Sequence, residues 1–579
     1  MWLRRVLNGA ARAARRRPFS VWYHPDYRLP AASIQVATGL EPRRADFVWC
    51  YLRDVGLAGS HMLRKPSRIS YEDLARVHSA DLLESLLERD QLAKIFALDP
   101  SDVHVDEVLR TIRRACAGTI GSAREALQTG HHALNLLGGF HHAGPNRAAG
   151  LCPVNDVAVA VAVLRQEGFS ERVAVLDLDA HPPDGTAECL ASDDAAWIGS
   201  ISGCDWGPPP GVDETRLPAG AGDTEYLEAL KELLGRVPEA SLAFVLAGGD
   251  VLAEDRSGGL GLSLAAAVER DLLVARAFSH VPTVWLPGGG YSKVAWKVLA
   301  GTASVLAIGR GQLPPSDYDP MQRMYASRAE SLSISRLRGG DELSTEDVLA
   351  DLGYPEAQGF RLLGFYTTEG VEYALSRYGA FNHLRRLGYE NFRVSLDRHE
   401  PGDRLRVFAH FEGKELLLIE CVLEQLSLKN KRALYVHWLT LRDPRGRFTD
   451  DRPDLPGQEQ PGLGLAPEAG QLLEQTAARL GLDGMAFRPA WLHTAHAASQ
   501  AGLRFLDPER QGRYEAMLRD LNEIQLREAS VAISEGRVTM NGERYEWEAD
   551  LMVSWPAEDA ATQSKMQSER ERVQFRVQS

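Results

Sequence analysis

Residues 173–185 read VAVLDLDAHPPDG, and this stretch limits the possible folds more than any other in the chain. An apolar run passes directly into Asp177, Asp179, His181 and Asp184. That order suits a strand buried on both faces that releases its polar side chains at its C-terminal end. Carboxylates placed there need neutralising, because burying an unpaired charge is expensive. A metal ion or protonated imidazoles would do it.

The same grammar recurs. Helical spacing at 112–127 leads to an apolar run at 133–137, which ends in Gly138, Gly139 and then His141-His142. A helix over 157–164 precedes the 173–178 strand, and a helix over 226–234 precedes a strand at 242–246 whose loop holds Asp250. A helix over 262–278 precedes a strand at 281–286, followed by Gly288-Gly289-Gly290-Tyr291. Strands alternating with helices predict an α/β unit: a mostly parallel central sheet with helices on both faces and the polar loops gathered at one edge. Tyr71 to Leu87 reads as helical with an interruption near His78.

Three strand ends can supply one cation. Asp179, His181 and Asp250 make a two-carboxylate, one-imidazole set, which suits zinc with a position left open for chemistry. His141 and His142 follow a glycine-rich turn, so one ring can act as general base and the other as general acid. Asp177 and Asp184 are the natural carboxylates to fix their tautomers. The triple glycine lets a loop approach closely and leaves the Tyr291 phenol to stabilise a developing oxyanion. His131-His132 precedes a strand and is given no chemistry.

With those residues set out, 21–308 resembles the zinc-dependent histone deacetylase and acetylpolyamine amidohydrolase superfamily. The matching stretches are LLGGFHHAGPNRAAGLCPVND, VAVLDLDAHPPDG, AGGDVLAEDRSGGLGLS and LPGGGY. The resemblance implies the arginase-deacetylase fold, Zn2+ on Asp179, His181 and Asp250, and catalysis by His141, His142 and Tyr291 with Asp177 and Asp184 behind the histidines. It implies hydrolysis of an acylated lysine side chain or a small acylated amine such as an acetylpolyamine. Two departures stand out. Pro182-Pro183 replaces the usual His-Gly, which stiffens the loop and could retune or misplace Asp184. Leu151 replaces the aromatic that commonly follows Gly150 along the acyl-lysine tunnel, so a wider tunnel is expected around Gly150 and Leu151. The loop over 204–215, with Trp206 and three consecutive prolines, is a candidate second wall. Two alternatives stay open: a catalytically weak, zinc-containing acyl-ligand binder or sensor, and a binuclear manganese ureohydrolase. The Asp-x-Asp-x-His order and Tyr291 disfavour the latter.

At 579 residues the chain exceeds one core. The segment 1–20 is Arg-rich and reads as a frayed or surface helix, with contact to anionic lipid or a targeting role left open; 21–320 reads as the catalytic domain and 321–345 as a linker. Residues 346–579 read as an α+β accessory domain that could support a homo-oligomer. There, strands are expected at 392–396, 405–411, 416–423 and 434–441, and helices at 370–387, 467–480 and 510–530. His493 and His496 read as core or surface residues, and the last fifteen residues as solvated. The 65 Lys and Arg against 79 Asp and Glu, a net charge of -14, argue against direct nucleic-acid binding. No apolar run suits a membrane span. Six widely spaced cysteines point to a reducing, cytoplasmic setting.

Overall fold

The computed structural model describes the chain except residues 1–18, 32, 205–206, 340–359, 429, 449–453, 523, 556–559 and 579. The Arg-rich segment and Trp206 therefore lie outside the described residues. Two compact units form, Met1–Pro320 and Met321–Ser579.

The first unit is built on eight strands: β1 (Phe19–Trp22), β2 (Leu63–Arg64), β3 (His132–Asn135), β4 (Val173–Asp177), β5 (Ala196–Ser202), β6 (Val212–Arg216), β7 (Leu242–Leu246) and β8 (Thr283–Leu286). Their order is β2-β1-β3-β8-β7-β4-β5-β6, and every pairing is parallel. Every residue of β4 and β7 is buried, as expected for central parallel strands covered by helices on both faces. The four strands whose ends carry polar loops are consecutive neighbours, β3-β8-β7-β4, although two other strands separate β4 from β7 in sequence. Sheet topology therefore brings residues 138–142, 178–184, 247–258 and 287–291 to one edge. Residues 21–23 also read as a strand in the sequence, where β1 lies, and β2, β5 and β6 add to the expected strands. The α/β architecture is as the sequence predicts.

The helix Leu264–Ala277 secures the carboxyl ends of β4 and β7. Arg270 is fully buried and donates from Nη1 to the carbonyls of Gly248 (2.8 Å) and Leu178 (3.3 Å), each within two residues of a predicted metal ligand. Its charge is balanced by buried Asp271 at 2.9 Å, whose other oxygen accepts from Thr302 Oγ1 at 2.5 Å.

The second unit is α+β. Strands β9 (Glu390–His399), β10 (Gly402–Phe411), β11 (Lys414–Leu428) and β12 (Lys431–Leu441) pair antiparallel. β13 (Gly484–Phe487) joins β12 in parallel after the helix Ala466–Arg479. β14 (Arg504–Phe505) and β17 (Met552–Val553) complete that sheet. A smaller sheet holds β15 (Val538–Met540), β16 (Glu543–Arg544) and β18 (Phe575–Val577). The expected helix over 510–530 is two helices, Pro508–Asp520 and Leu526–Ser534. The C-terminal stretch is not simply solvated: Val573 and Phe575 are buried, and β18 pairs with β15. His493 bonds Ser530 Oγ at 2.9 Å and His496 lies 3.3 Å from the Tyr514 hydroxyl, in keeping with structural roles.

Candidate metal and acid-base site

Asp179, His181 and Asp250 offer ligand atoms within 4.8 Å of one another. His181 Nδ1 lies 3.1 Å from Asp179 Oδ1 and 3.0 Å from Asp250 Oδ2. Backbone amides hold the carboxylates: Gly289 N donates to Asp179 Oδ2 at 2.6 Å, and Ala180 N to Asp250 Oδ1 at 3.1 Å. Burial opposes charge on His181, but its bonds to both carboxylates outweigh that and raise its pKa to about 11. Burial and then the neighbouring Asp179 charge push Asp250 upward. Two buried carboxylates facing one imidazole nitrogen demand positive charge, and the donor set fits a divalent cation once the imidazole proton is displaced.

The triple glycine closes over these ligands. A Cβ at Gly289 would fall 2.7 Å from Asp250 Oδ2 and 2.8 Å from Asp179 Oδ2, so no side chain can be carried there without moving a ligand. What the glycines approach so closely is therefore the two carboxylates of the candidate metal set.

Both histidines carry the expected carboxylates. His141 Nδ1 lies 2.9 Å from Asp177 Oδ2, and His142 Nδ1 lies 2.7 Å from Asp184 Oδ1. The two rings sit 4.1 Å apart by centroid, and His142 meets His181 edge-on at 5.7 Å. Burial would lower the pKa of His141, but Asp177 and then Asp179 raise it to about 9. His142 is lowered, first by burial and then by the charge of His141. The two rings thus have opposed proton affinities: with no cation present, His141 is the ring that holds a proton and His142 the one that gives it up. Tyr291 lines the same cavity; burial, then Asp179 and Asp250, push its phenol well above 10.

Pro182 and Pro183 do not displace Asp184. Both are buried, and Pro183 caps the helix Asp184–Leu190, whose first residue is the His142 partner. Arg147 donates to the second oxygen of Asp184 at 2.7 Å and to Glu188 at 2.7 Å. Burial would raise the Asp184 pKa, but His142 and Arg147 outweigh it and hold it at about 2. Gly150 lies against the imidazole of His142, since a Cβ there would be 2.4 Å from Cδ2. Leu151 lines the cavity in left-handed backbone (φ 62) that glycine would adopt more readily. No described residue of the loop over 204–215 lines the cavity; its prolines precede β6, which begins at Val212.

Several positioning residues escape sequence reasoning. Buried Asp156 accepts from the amides of Gly139 (3.0 Å) and Phe140 (2.8 Å), fixing the turn before the histidines. His78, the interruption between short helices, accepts from Asn155 N at 2.9 Å through Nε2, so Nδ1 carries the proton given to Gly144 O at 3.0 Å. That neutral tautomer is buried, and burial lowers the pKa to about 4. Above pH 6.5 His78 is neutral in both states and its contribution is complete. As the pH falls from 6.5 to 4 the unfolded chain binds a proton that the folded one refuses, removing about 3 kcal/mol of stability. Denaturant titrations from pH 4 to 7 should show that loss in the wild type and a shallower slope in His78→Asn; equal slopes would exclude the assignment.

These side chains define a class: a cluster able to hold a metal ion, beside two carboxylate-backed histidines, at the carboxyl edge of a parallel α/β sheet. The family described as the histone deacetylase domain matches residues 39–208. The chain is 30% identical over 293 residues to an uncharacterized protein of Picosynechococcus sp., covering 48% of this chain and 93% of that one. It is 29% identical to Histone deacetylase 2 of Arabidopsis thaliana, covering 50% and 78%. It is also 29% identical to Histone deacetylase 1 of Oryza sativa subsp. japonica, covering 48% and 58%. A crystal structure of an HDAC homolog from Aquifex aeolicus aligns over 53% of this chain and 88% of that one, with 23% identity and a TM-score of 0.43. By its N-terminal half, the chain belongs to the histone deacetylase superfamily of the arginase-deacetylase fold. Among the described residues, no helix is long and apolar enough to cross a membrane.

Proposed function

We propose that the first unit is a zinc-dependent hydrolase that removes an acyl group from an N-acylated amine, an acylated lysine side chain or a small acylated amine. The observation that carries this reading is the convergence of the Asp179, His181 and Asp250 ligand atoms beside two carboxylate-backed histidines. Bound in that set, zinc supplies Lewis acidity toward the amide carbonyl and toward water. A cation on Asp179 would cancel one of the two charges that hold a proton on His141, leaving that ring, oriented by Asp177, placed to take the proton from water. His142, backed by Asp184, delivers a proton to the departing amine nitrogen. The Tyr291 phenol, kept protonated by burial and the neighbouring carboxylates, donates to the carbonyl oxygen as charge builds there. The six cysteines are free thiols, which fits a reducing compartment such as the cytoplasm.

A metal-containing acyl-ligand binder is the second reading. Family membership and the ligand cluster support it at least as directly, since it needs no turnover. The grip of Arg147 on Asp184 favours it by reducing what that carboxylate can lend to His142. One experiment separates them. Zinc-loaded full-length protein should release free amine from acyl-lysine peptides, and chelation should stop it. Tyr291→Phe should lower kcat by about 10²- to 10³-fold with KM little changed. Tight zinc-dependent peptide binding without amine release would establish the binder instead.

A further inference from the structure

The outer strand of a sheet presents unmet amides and carbonyls, and proteins blunt such edges with short strands, proline or like charges. Among the described residues most edges here are short. β2, β14 and β16 run two residues each and β18 three, while β6 runs five and carries Asp213 and Glu214. β9 is built differently. It is the outer strand of the seven-stranded sheet, spans ten residues, Glu390–His399, and contains neither proline nor lysine. From Arg393 to His399 it pairs with β10 without a break, the irregularity falling beyond, where Asn391 takes left-handed backbone (φ 52).

In an antiparallel pair, alternate residues turn their amide and carbonyl away from the neighbouring strand. Val394 is one of these, because its amide donates to Glu372 Oε1, on the helix Thr368–Tyr378, at 3.4 Å. Leu396 and Arg398 follow in phase. Among the described residues that contact is the only hydrogen bond on the outer edge of β9.

The order of side chains along the strand is self-complementary. In an antiparallel match about a two-fold axis through Ser395, Val394 faces Leu396 of the second copy, and both turn their backbone groups outward, so they can exchange hydrogen bonds. Arg393 then faces Asp397 of the second copy in a pair without backbone bonds, where Cα atoms approach to about 4.5 Å and side chains lie closest. Symmetry makes that opposite-charge pair twice. Within one copy, Arg393 already binds Glu415 at 2.8 Å, and Asp397 binds Arg404 at 3.0 Å and Arg406 at 2.7 Å. The match joins those ion pairs into one run of alternating charge across the axis. A slip of the register in either direction breaks it, setting Arg393 against Ser395 or His399 instead.

We propose that the protein pairs with a second copy of itself through β9, the two strands antiparallel about Ser395 and the two seven-stranded sheets continuous. The proposal stands apart from the hydrolase reading.

The test uses the full-length protein. Sedimentation across a concentration series should show a dimer. Ser395→Cys sets two thiols on the axis, so oxidation with copper phenanthroline should give a covalent dimer on a non-reducing gel. Arg393→Cys, whose two thiols fall out of step, should give no more of it than the wild type with its native cysteines. Arg393→Glu and Asp397→Lys should each raise the dimer dissociation constant about tenfold, since two opposite-charge pairs become like-charge pairs. An equal mixture of those two variants should recover the dimer, each supplying the charge the other lacks. Circular dichroism checks that each variant is folded, and Ser395→Cys changes only one half-buried hydroxyl. A monomer at every concentration overturns the proposal. So does a dimer in which Ser395→Cys cross-links no better than Arg393→Cys, because the contact then lies elsewhere.

Discussion

Asp250→Ala is expected to abolish stoichiometric zinc uptake and to lower kcat/KM on acyl-lysine peptides by about 10³-fold or more. The substitution removes one of three ligands and leaves Asp179 sharing the His181 proton alone. Lewis-acid stabilisation is worth several kcal/mol, and each 1.36 kcal/mol is a factor of ten. Metal analysis of the dialysed variant beside single-turnover amine release checks both halves. Full zinc occupancy with wild-type rates would mean that the cation sits elsewhere. Because β7 is held by its neighbours β8 and β4 and its end by Arg270, the variant should fold, and circular dichroism should match the wild type.

Asp271→Ala should destabilise the first unit by about 3–5 kcal/mol, the usual effect of leaving one charge of a buried pair uncompensated. Arg270 would keep its two carbonyl contacts but lose the carboxylate that balances it at 2.9 Å. Those carbonyls belong to Leu178 and Gly248, so loosened packing reaches Asp179 and Asp250, and zinc affinity should fall together with the denaturant midpoint. Replacing the pair together, Arg270→Met with Asp271→Leu, should recover much of the stability without restoring the clamp on the strand ends. A single Asp271→Ala that unfolds at the wild-type midpoint would show that another group balances Arg270.

The ligand set was legible because its members sit at strand ends, where apolar runs stop and charges begin within a few residues. Asp177, Asp179, His181 and Asp184 fall within eight residues of one another, and the loop bearing Asp250 follows an apolar run as clear as β4. β5 and β6 were not legible. β5 carries Gly199 and two serines among its apolar residues, and β6, VDETR, is an edge strand whose half-exposed pattern leaves no buried stripe to read. The positioning residues were illegible for a different reason. His78 acts on Asn155 from 77 residues away, and Arg270 on Leu178 from 92, distances at which no periodicity links partners. Arg147 is near His142 in sequence, but its partners Asp184 and Glu188 arrive only when Asp184–Leu190 folds as a helix. In the second unit the long antiparallel strands were readable, whereas the two-residue pairings of β14, β16 and β17 depend on contacts made after folding.

The candidate site hangs from one rim of the eight-stranded sheet, and the described residues of the opposite rim contribute nothing to it. There the chain turns back at Gly168–Arg172 before β4 and at Gly235–Glu239 before β7, with Glu171, Arg172 and Arg236 exposed. Gly168 has open space around it. Those turns are natural ports for grafting a fluorophore or an affinity handle, or for opening a new chain terminus by circular permutation, while the candidate site at the far side is left undisturbed.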